Sequence, residues 1–175
     1  MTQPPDRAEL DYLFSVTYEE LRRLASTVRM GDPSATLNPT ALVNEAWLKL
    51  AGYPEVSNTS RLHFKRIAAR AMRQVLVEAA RRRNADKRGG GAASFVTLDE
   101  SQGPVACGRE LLGLDTALDE LARVEPRQAM MVESRFFGGL EMAEIAELLE
   151  VSEATVLRDW RAAKAWLAHM LRPIH

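Results

Sequence analysis

Helical periodicity dominates the 175-residue chain and constrains its fold more than any other feature. In the segment LNPTALVNEAWLKL, for example, the apolar residues fall on one side of a helix. No segment shows the alternation of apolar and polar residues that is typical of a half-buried strand. The sequence therefore predicts an all-α protein. The predicted helices span residues 7–30, 39–50, 61–83, 111–123, 126–137, 141–149 and 153–171.

One segment between residues 84 and 110, NADKRGGGAASFVTLDESQGPVACGRE, interrupts this pattern and is rich in Gly, Ser and Ala. Such a composition is typical of a flexible linker. We therefore expect two small helical domains at 1–88 and 111–175, joined by a linker at 89–110. Each domain is long enough for a core of three or four helices.

The composition is that of a folded protein, with 46% hydrophobic and 27% charged residues. No apolar run approaches the roughly 18 residues of a membrane span. The N-terminus MTQPPDRAEL lacks a basic start followed by an apolar stretch, so we expect a cytoplasmic protein without membrane contact. Cys107 is the single cysteine and the chain has three histidines, which predicts neither an internal disulfide nor a metal site.

Charge is distributed unevenly along the chain. Residues 1–92 hold 15 Lys/Arg against 10 Asp/Glu, whereas residues 93–175 hold 8 against 14. Within the first half, residues 61–91 contain ten basic and two acidic residues. A basic stripe of this density favours contact with a phosphate backbone, although basic helices are also common as solvated faces.

The basic stripe begins on the predicted helix RLHFKRIAARAMRQVLVEAARRR. Arg66, Arg70 and Arg73 recur there at i, i+4 and i+7, so they share a face that can follow the phosphates of one DNA strand. The polar loop AGYPEVSNTSR lies just before this helix and contains Tyr53, whose ring can stack on an unpaired base.

The C-terminal segment FFGGLEMAEIAELLEVSEATVLRDWRAAKAWLAHML predicts two helices joined by a tight turn. Gly138 and Gly139 end the preceding helix, and Ser152 is a favoured N-cap residue for the last one. This pattern predicts a helix-turn-helix, whose second helix reads DNA. Its outer face carries the candidate contacts to bases and phosphates: Glu153, Thr155, Arg158, Arg161 and Lys164.

An ordinary helical hairpin, with Trp160 and Trp166 filling a core, also fits this segment. Asp159 within the second helix fits poorly with phosphate binding. DNA would also repel the acidic residues of the first helix, which we expect to point away from DNA or toward a partner: Glu141, Glu144, Glu147 and Glu150.

Together, PTALVNEAWLKL, HFKRIAARAMRQVLVEAARRR, a Gly-rich linker and RQAMMVESRFFGGLEMAEIAELLEVSEATVLRDWRAAKAWL occur in the order of a known family. In this respect the chain resembles the extracytoplasmic-function (ECF) group of sigma-70 RNA polymerase sigma factors. The resemblance covers nearly the whole chain. It implies an alternative sigma factor that is not an enzyme. The N-terminal domain would bind the polymerase clamp and open the minus-10 element, and the C-terminal domain would bind the minus-35 element and the polymerase flap.

The resemblance also assigns roles to individual residues. Arg66, Arg70 and Arg73 would hold the non-template strand, and Glu153, Thr155, Arg158, Arg161 and Lys164 would lie on the minus-35 reading helix. Leu157 departs from the family pattern, where a basic residue is common. The segment 39–50 looks like the clamp-binding helix, with candidate contacts at Leu42, Glu45, Ala46 and Lys49. The loop 51–60 resembles the one that captures an unpaired minus-10 base, with Tyr53 and Asn58 as its candidates.

The clamp-binding helix also departs from the family at its start. Many members have the acidic sequence Asp-Ala-Glu-Asp where this chain has Asn38-Pro39-Thr40-Ala41, so the chain is similar to a subgroup that lacks this motif. Apolar contacts are one compensation. The other is phosphorylation of Thr40, because a phosphate in the first helical turn restores negative charge where the helix dipole favours it. Ser34 and Thr36 are fallback sites for the same modification.

Two other functional classes compete with a sigma factor. A stand-alone helix-turn-helix regulator would bind its operator tightly without polymerase, usually as a dimer. A helical adaptor that binds only protein would make no promoter contact, and the basic stripe argues against it. The expected partners are core RNA polymerase, promoter DNA and, for the phosphorylated form, a Ser/Thr kinase, while the sequence identifies no anti-sigma factor and predicts no cofactor.

Overall fold

The computed structural model of the protein describes residues 7–30, 38–50, 60–86 and 108–172. These residues form helices and no strand, which confirms the all-α prediction. None of the described helices is both long enough and apolar enough to cross a membrane. The helices are α1 (Arg7–Met30), α2 (Pro39–Leu50), α3 (Arg61–Asp86), α4 (Gly108–Val124), α5 (Pro126–Gly138), α6 (Met142–Leu149) and α7 (Glu153–Met170).

The seven predicted helices are all present in the described residues, and their ends differ by at most three residues from the prediction. Helix α3 continues to Asp86 rather than ending at residue 83, and α4 begins at Gly108 rather than at residue 111. Ala85 is a strong helix former, which favours the extra turn of α3. Most of the predicted linker, together with Cys107, therefore lies outside the described residues.

Helix α3 is the central element of the structure. It packs against α2, which precedes it in the chain, and against α4 and α5, which follow it. It also contacts α1 and α6. Phe64 and Met72 of α3 are fully buried, as are Phe136 and Phe137 of α5. The buried apolar side chains form one cluster that crosses the predicted domain boundary. Helix α3 therefore contacts helices on both sides of the predicted linker.

The close approach of α3 and α5 depends on small residues. Ala68 and Ala69 of α3 are fully buried, and Gly138 is the last residue of α5. A Cβ atom added to Gly138 would lie 2.8 Å from the Cβ of Ala69 and 3.2 Å from the backbone oxygen of Lys65. Since real Cβ atoms essentially never approach a neighbour that closely, a glycine is required at this position.

Candidate nucleic-acid interface

The connection between α6 and α7 is tight and well capped. Glu150 ends α6 in the left-handed region, with φ 55°, and its amide donates to the backbone oxygen of Glu147 at 3.2 Å. Ser152 caps α7, because its hydroxyl accepts a hydrogen bond from the Thr155 amide at 3.2 Å. The cap predicted at Ser152 is thus confirmed. A turn this short holds α7 at a defined angle to α6.

One face of α7 is buried and the opposite face is open. Val156, Trp160 and Leu167 are buried in the core, as expected for Trp160. The indole nitrogen of Trp160 has no hydrogen-bond partner among the described residues. The predicted minus-35 residues lie on the other side: Glu153, Arg158 and Arg161 are exposed, and Thr155 and Lys164 are half-buried. The hydroxyl groups of Thr155 and Ser152 are 2.9 Å apart, so Thr155 also supports the cap.

Asp159, which fitted poorly with DNA binding, belongs to the inner face of α7. Its side chain is 11% exposed and accepts a hydrogen bond from the Arg127 guanidinium of α5. Arg158 lies on its other side, with its Nε atom 3.7 Å from the second carboxylate oxygen. The Asp159 charge is therefore paired within the protein and does not face a DNA backbone.

The acidic residues of α6 have partners in the protein as well. Glu141 and Glu144 form a capping box at the start of α6, in which each side chain accepts a backbone N–H of the other residue. Glu144 also accepts a hydrogen bond at 3.1 Å from Lys65 of α3, whose side chain is 4% exposed. Glu141 pairs with Arg135 at 3.2 Å. The Glu144 carboxylate is therefore paired with α3 of the same chain.

The three arginines predicted to hold DNA along α3 differ in their surroundings. Arg70 is exposed and Arg66 is half-buried, and neither forms an ion pair with another residue in the described part of the chain. Arg73 differs because its side chain is 14% exposed and lies against α4 and α5. The three arginines share a helix face by their spacing, but α4 and α5 cover the part of it that carries Arg73.

Arg73 is surrounded by three carboxylates, and we call Arg73, Asp115, Asp119 and Glu133 the Arg73 cluster. The Nε atom donates to Asp115 at 2.7 Å, and the two terminal nitrogens donate to Glu133 and Asp119 at 2.8 Å each. A fourth bond at 2.9 Å joins a terminal nitrogen to the backbone oxygen of Asp115. Burial by itself lowers the pKa of Arg73. The hydrogen bond to Glu133 and the charges of Asp115 and Glu133 together raise it by more than burial lowers it, so the pKa of Arg73 lies above its ordinary value.

A cleft of about 230 Å³ opens beside the Arg73 cluster, between α3 and the α4–α5 pair. Arg70 and Arg81 line it from α3. Arg81 is within 3.5 Å of Asp115, so this one carboxylate of the cluster is shared between two arginines. No group of residues that can hold a metal ion is found in the described part of the chain.

The predicted clamp-binding helix α2 begins as expected. Asn38 caps it, because its Oδ1 atom accepts a hydrogen bond from the Ala41 amide at 2.8 Å. Pro39 is the first helical residue and Thr40, the second, is half-buried. Asn58 and Tyr53 of the following loop lie outside the described residues, as do the fallback sites Ser34 and Thr36.

The faces of α2 differ from the prediction. Leu42 and Ala46 were expected as contacts on the surface, but both are buried in the core together with Val43. Trp47 is half-buried and packs on Phe14 of α1, with ring centroids 4.4 Å apart. Apolar spacing predicts which residues of α2 lie on the same side of the helix. It does not predict how much of the α2 surface α1 and α3 cover together, and here they also cover Leu42 and Ala46.

Two polar residues of α2 lie beside α3. Lys49 pairs with Glu78 at 3.0 Å, and Glu45 is 4.0 Å from Arg82. Both Glu45 and Lys49 remain half-buried. Sequence reasoning missed Leu48, which is 72% exposed. The signal was present in the sequence, because Leu48 is an apolar residue that falls outside the apolar stripe of α2.

A scan against family models matches residues 2–173 of the chain with a model described as ECF sigma factor. Neither the search of curated proteins nor the search of solved structures finds a match. The family match supports a role as an alternative sigma factor in transcription initiation, which implies binding to core RNA polymerase and promoter DNA. With nearly its whole length covered by that model, the chain belongs to the family of ECF sigma factors.

Proposed function

We propose that this sigma factor reads the minus-35 element with the exposed face of α7, holds the minus-10 element with α3 and binds the polymerase clamp with α2. The observation that carries the proposal is the division of α7 into two faces. The acidic residue on its inner face, Asp159, is paired inside the protein, while Arg158 and Arg161 are exposed on the outside. A helix with this division can enter a major groove without bringing a buried charge near the phosphates.

The exposed residues of α7 suit their proposed roles by chemistry and position. Glu153 lies in the first turn, where a carboxylate can accept a hydrogen bond from a cytosine amino group. Arg158 and Arg161 follow along the helix and can donate to guanine edges or to phosphates. Lys164 lies one turn after Arg161 and suits a phosphate contact. Leu157 is 39% exposed beside them and offers no charge to DNA.

On α3, Arg66 and Arg70 supply the proposed contacts to the minus-10 strand. They are one helical turn apart and have no carboxylate partner in the described residues, so their charges are available to phosphates. Tyr53 and Asn58 complete the proposed site from the preceding loop. Arg73 joins this site when it is released from its carboxylate partners.

On α2, the proposed contacts to the clamp are Glu45, Lys49 and the exposed Leu48. Leu42 and Ala46 are buried, and in this proposal they act indirectly by holding α2 against α1 and α3. A protruding leucine beside polar residues is a common anchor of a protein–protein contact.

Phosphorylation of Thr40 would supply the acidic charge that the start of α2 lacks. The Asn38 side-chain oxygen accepts from the Ala41 amide at 2.8 Å and its backbone oxygen accepts from the Leu42 amide at 3.1 Å. Among the described residues, no acceptor faces the Thr40 amide. A phosphate on Thr40 would bring about −1.5 to −2 charges to the positive end of the helix dipole. A Ser/Thr kinase is then a further partner of the protein.

Run-off transcription with purified core polymerase tests the main proposal. With template from the region upstream of its own gene, the wild type should co-purify with core polymerase and produce a defined transcript. Arg161→Ala should reduce that transcript several-fold. Arg123→Ala is the matched control, because Arg123 is an exposed arginine of α4 that pairs only with Glu120 one turn away, at 2.8 Å, in the described structure. Tight operator binding without any association with core polymerase would instead favour a stand-alone regulator.

The Thr40 switch is tested in the same assay with the wild type, Thr40→Ala and Thr40→Glu proteins. Thr40→Glu should be more active than the wild type without kinase, and Thr40→Ala should not respond to kinase. Strong kinase-independent transcription that is unchanged in Thr40→Ala contradicts the switch. The assignment as a sigma factor does not depend on this outcome.

A further inference from the structure

We propose that the contact between α3 and the α4–α5 pair is autoinhibitory, with the carboxylates of the Arg73 cluster occupying an arginine that binds promoter DNA in the open protein. This proposal rests on the function proposed above, because it concerns access to the DNA-binding face of α3. It adds a second conformation, in which the two halves of the chain separate and Arg73 becomes free.

The carboxylates occupy Arg73 in the way that phosphates would. All three of its nitrogens donate to oxygen, at 2.7 to 2.9 Å, and three of the four acceptor contacts are charged oxygens. Arginine binds carboxylate and phosphate oxygens through the same planar set of N–H donors. DNA and the C-terminal half of the chain therefore compete for the same donor atoms of Arg73.

The position of Arg73 makes this competition consequential. Arg66, Arg70 and Arg73 follow one another at i, i+4 and i+7, which is the spacing of one helix face. In the closed structure Arg66 and Arg70 have no carboxylate partner in the described residues, whereas Arg73 faces α4 and α5. The α4–α5 pair thus covers one end of the proposed strand-binding face, where a DNA strand following the arginines would collide with it.

Two further contacts hold the halves together. Lys65 of α3, which is almost fully buried, pairs with Glu144 of α6 at 3.1 Å. Arg81 of α3 is within 3.5 Å of Asp115. Three basic residues of α3, Lys65, Arg73 and Arg81, therefore join the basic N-terminal half to carboxylates of the acidic C-terminal half. This complementarity explains why the charge asymmetry of the sequence does not leave the basic stripe fully exposed.

Such a contact can be opened by a partner. A ligand shifts an equilibrium toward the state that it binds more tightly. In the proposed function, the two halves of the chain bind two separate promoter elements on core polymerase. Core polymerase and promoter DNA therefore favour the open state. Free protein stays closed and binds DNA weakly, so that it does not occupy DNA before it meets polymerase.

The test compares two variants with the same change in net charge. The release variant combines Asp115→Asn, Asp119→Asn and Glu133→Gln, and removes all charged partners of Arg73 in the cluster. The control combines Glu120→Gln, Glu125→Gln and Glu147→Gln, which also removes three negative charges, and none of these residues contacts Arg73 in the described structure. Circular dichroism melts establish that both variants are folded.

Binding of a fluorescein-labelled single-stranded oligonucleotide with the minus-10 sequence is measured without polymerase. The release variant should bind about tenfold more tightly than the control, which corresponds to about 1.4 kcal/mol. Adding Arg73→Gln to the release variant should abolish the gain. Equal affinities of the release and control variants overturn the proposal, and so does a gain that persists without Arg73.

A milder pair of variants avoids the risk of misfolding. Asp119 is the most exposed carboxylate of the cluster, at 65%, and its neighbour Glu120 pairs with Arg123 instead. Each variant removes one negative charge from α4, so their general effects on DNA binding are the same. Only Asp119→Asn removes a partner of Arg73, so it should tighten binding about twofold to threefold more than Glu120→Gln. Identical affinities of this pair contradict the proposal even if the triple variant does not fold.

Spin labels at Asn44 of α2 and Ala162 of α7, both exposed, report the separation of the two halves in a Cys107→Ser background. Double electron–electron resonance should show one short distance for the wild type and the control, and a second, longer distance for the release variant. A single unchanged distance in the release variant overturns the open state. If wild-type protein still directs run-off transcription, only the autoinhibition has failed; if no variant transcribes with core polymerase, the proposed function has failed.

Discussion

Arg127 on α5 donates a hydrogen bond to Asp159 on α7, and this pair fixes the helix that carries the proposed minus-35 contacts. The two residues are unequally buried, because the Arg127 side chain is 49% exposed while that of Asp159 is 11% exposed. Removal of either residue leaves the other without this hydrogen bond. A buried charge that loses its partner lowers the stability of the folded protein far more than a charge that water can reach.

Arg127→Ala is therefore expected to destabilise the protein more than Asp159→Asn. We expect a loss of about 2–3 kcal/mol for Arg127→Ala, because the buried carboxylate loses its hydrogen-bonded guanidinium and keeps only the more distant Arg158, at 3.7 Å. For Asp159→Asn we expect about 1 kcal/mol, since the remaining guanidinium is half exposed to water. Urea denaturation followed by circular dichroism measures both. Equal losses would show that the pair is not asymmetric in this way.

Gly138→Ala is expected to destabilise the packing of α3 on α5 by about 1–3 kcal/mol, because the new methyl group meets Ala69 and the backbone of Lys65. Gly113 within α4 is the matched control. A Cβ atom there meets only the flexible end of Leu171, at 3.5 Å, which is an ordinary contact. Gly113→Ala should stabilise the protein by about 0.5–1 kcal/mol through its helix propensity. Thermal denaturation should move the two melting temperatures in opposite directions.

Glu150→Gly is expected to stabilise the protein by up to about 1 kcal/mol. Glu150 has a φ of 55°, in the left-handed region of backbone conformation that residues other than Gly and Asn rarely adopt. Its neighbour Glu147 is an exposed residue within α6, where Gly costs about 1 kcal/mol relative to a helix former. Chemical denaturation of Glu150→Gly and Glu147→Gly should thus give changes of opposite sign. A loss of stability in Glu150→Gly would mean that the Glu150 side chain contributes more than its backbone conformation costs.

Ser152→Ala is expected to cost about 1 kcal/mol, because the Thr155 amide loses its acceptor at the start of α7. Ser152→Asp should retain most of the stability, since a carboxylate caps a helix as well as a hydroxyl does and interacts favourably with the dipole. Ser152→Asp should nevertheless bind DNA more weakly than the wild type. The variant adds a negative charge at the N-terminal start of α7, which lies in the major groove in the proposed function. Unfolding and promoter-binding assays on the two variants separate these effects.

Local features were predictable from the sequence because their causes are local. Apolar spacing predicted the seven helices, and cap chemistry predicted the start of α7 at Ser152. The inward position of Trp160 followed from the same spacing. The order of motifs along the chain also identified the family, which the match over residues 2–173 confirms. These are properties of short segments, and a single sequence contains them in full.

The pairing of distant groups was decided only by the tertiary structure. Arg73 has the same spacing and chemistry as Arg66 and Arg70, yet it alone of the three meets the carboxylates of α4 and α5. The family resemblance assigned Leu42 and Ala46 to the clamp-binding surface, yet the structure places them in the core. The physical reason is the same in both cases. Which face of a helix is covered depends on how closely its neighbours approach, and here Gly138, far along the chain, allows α5 to lie directly on α3.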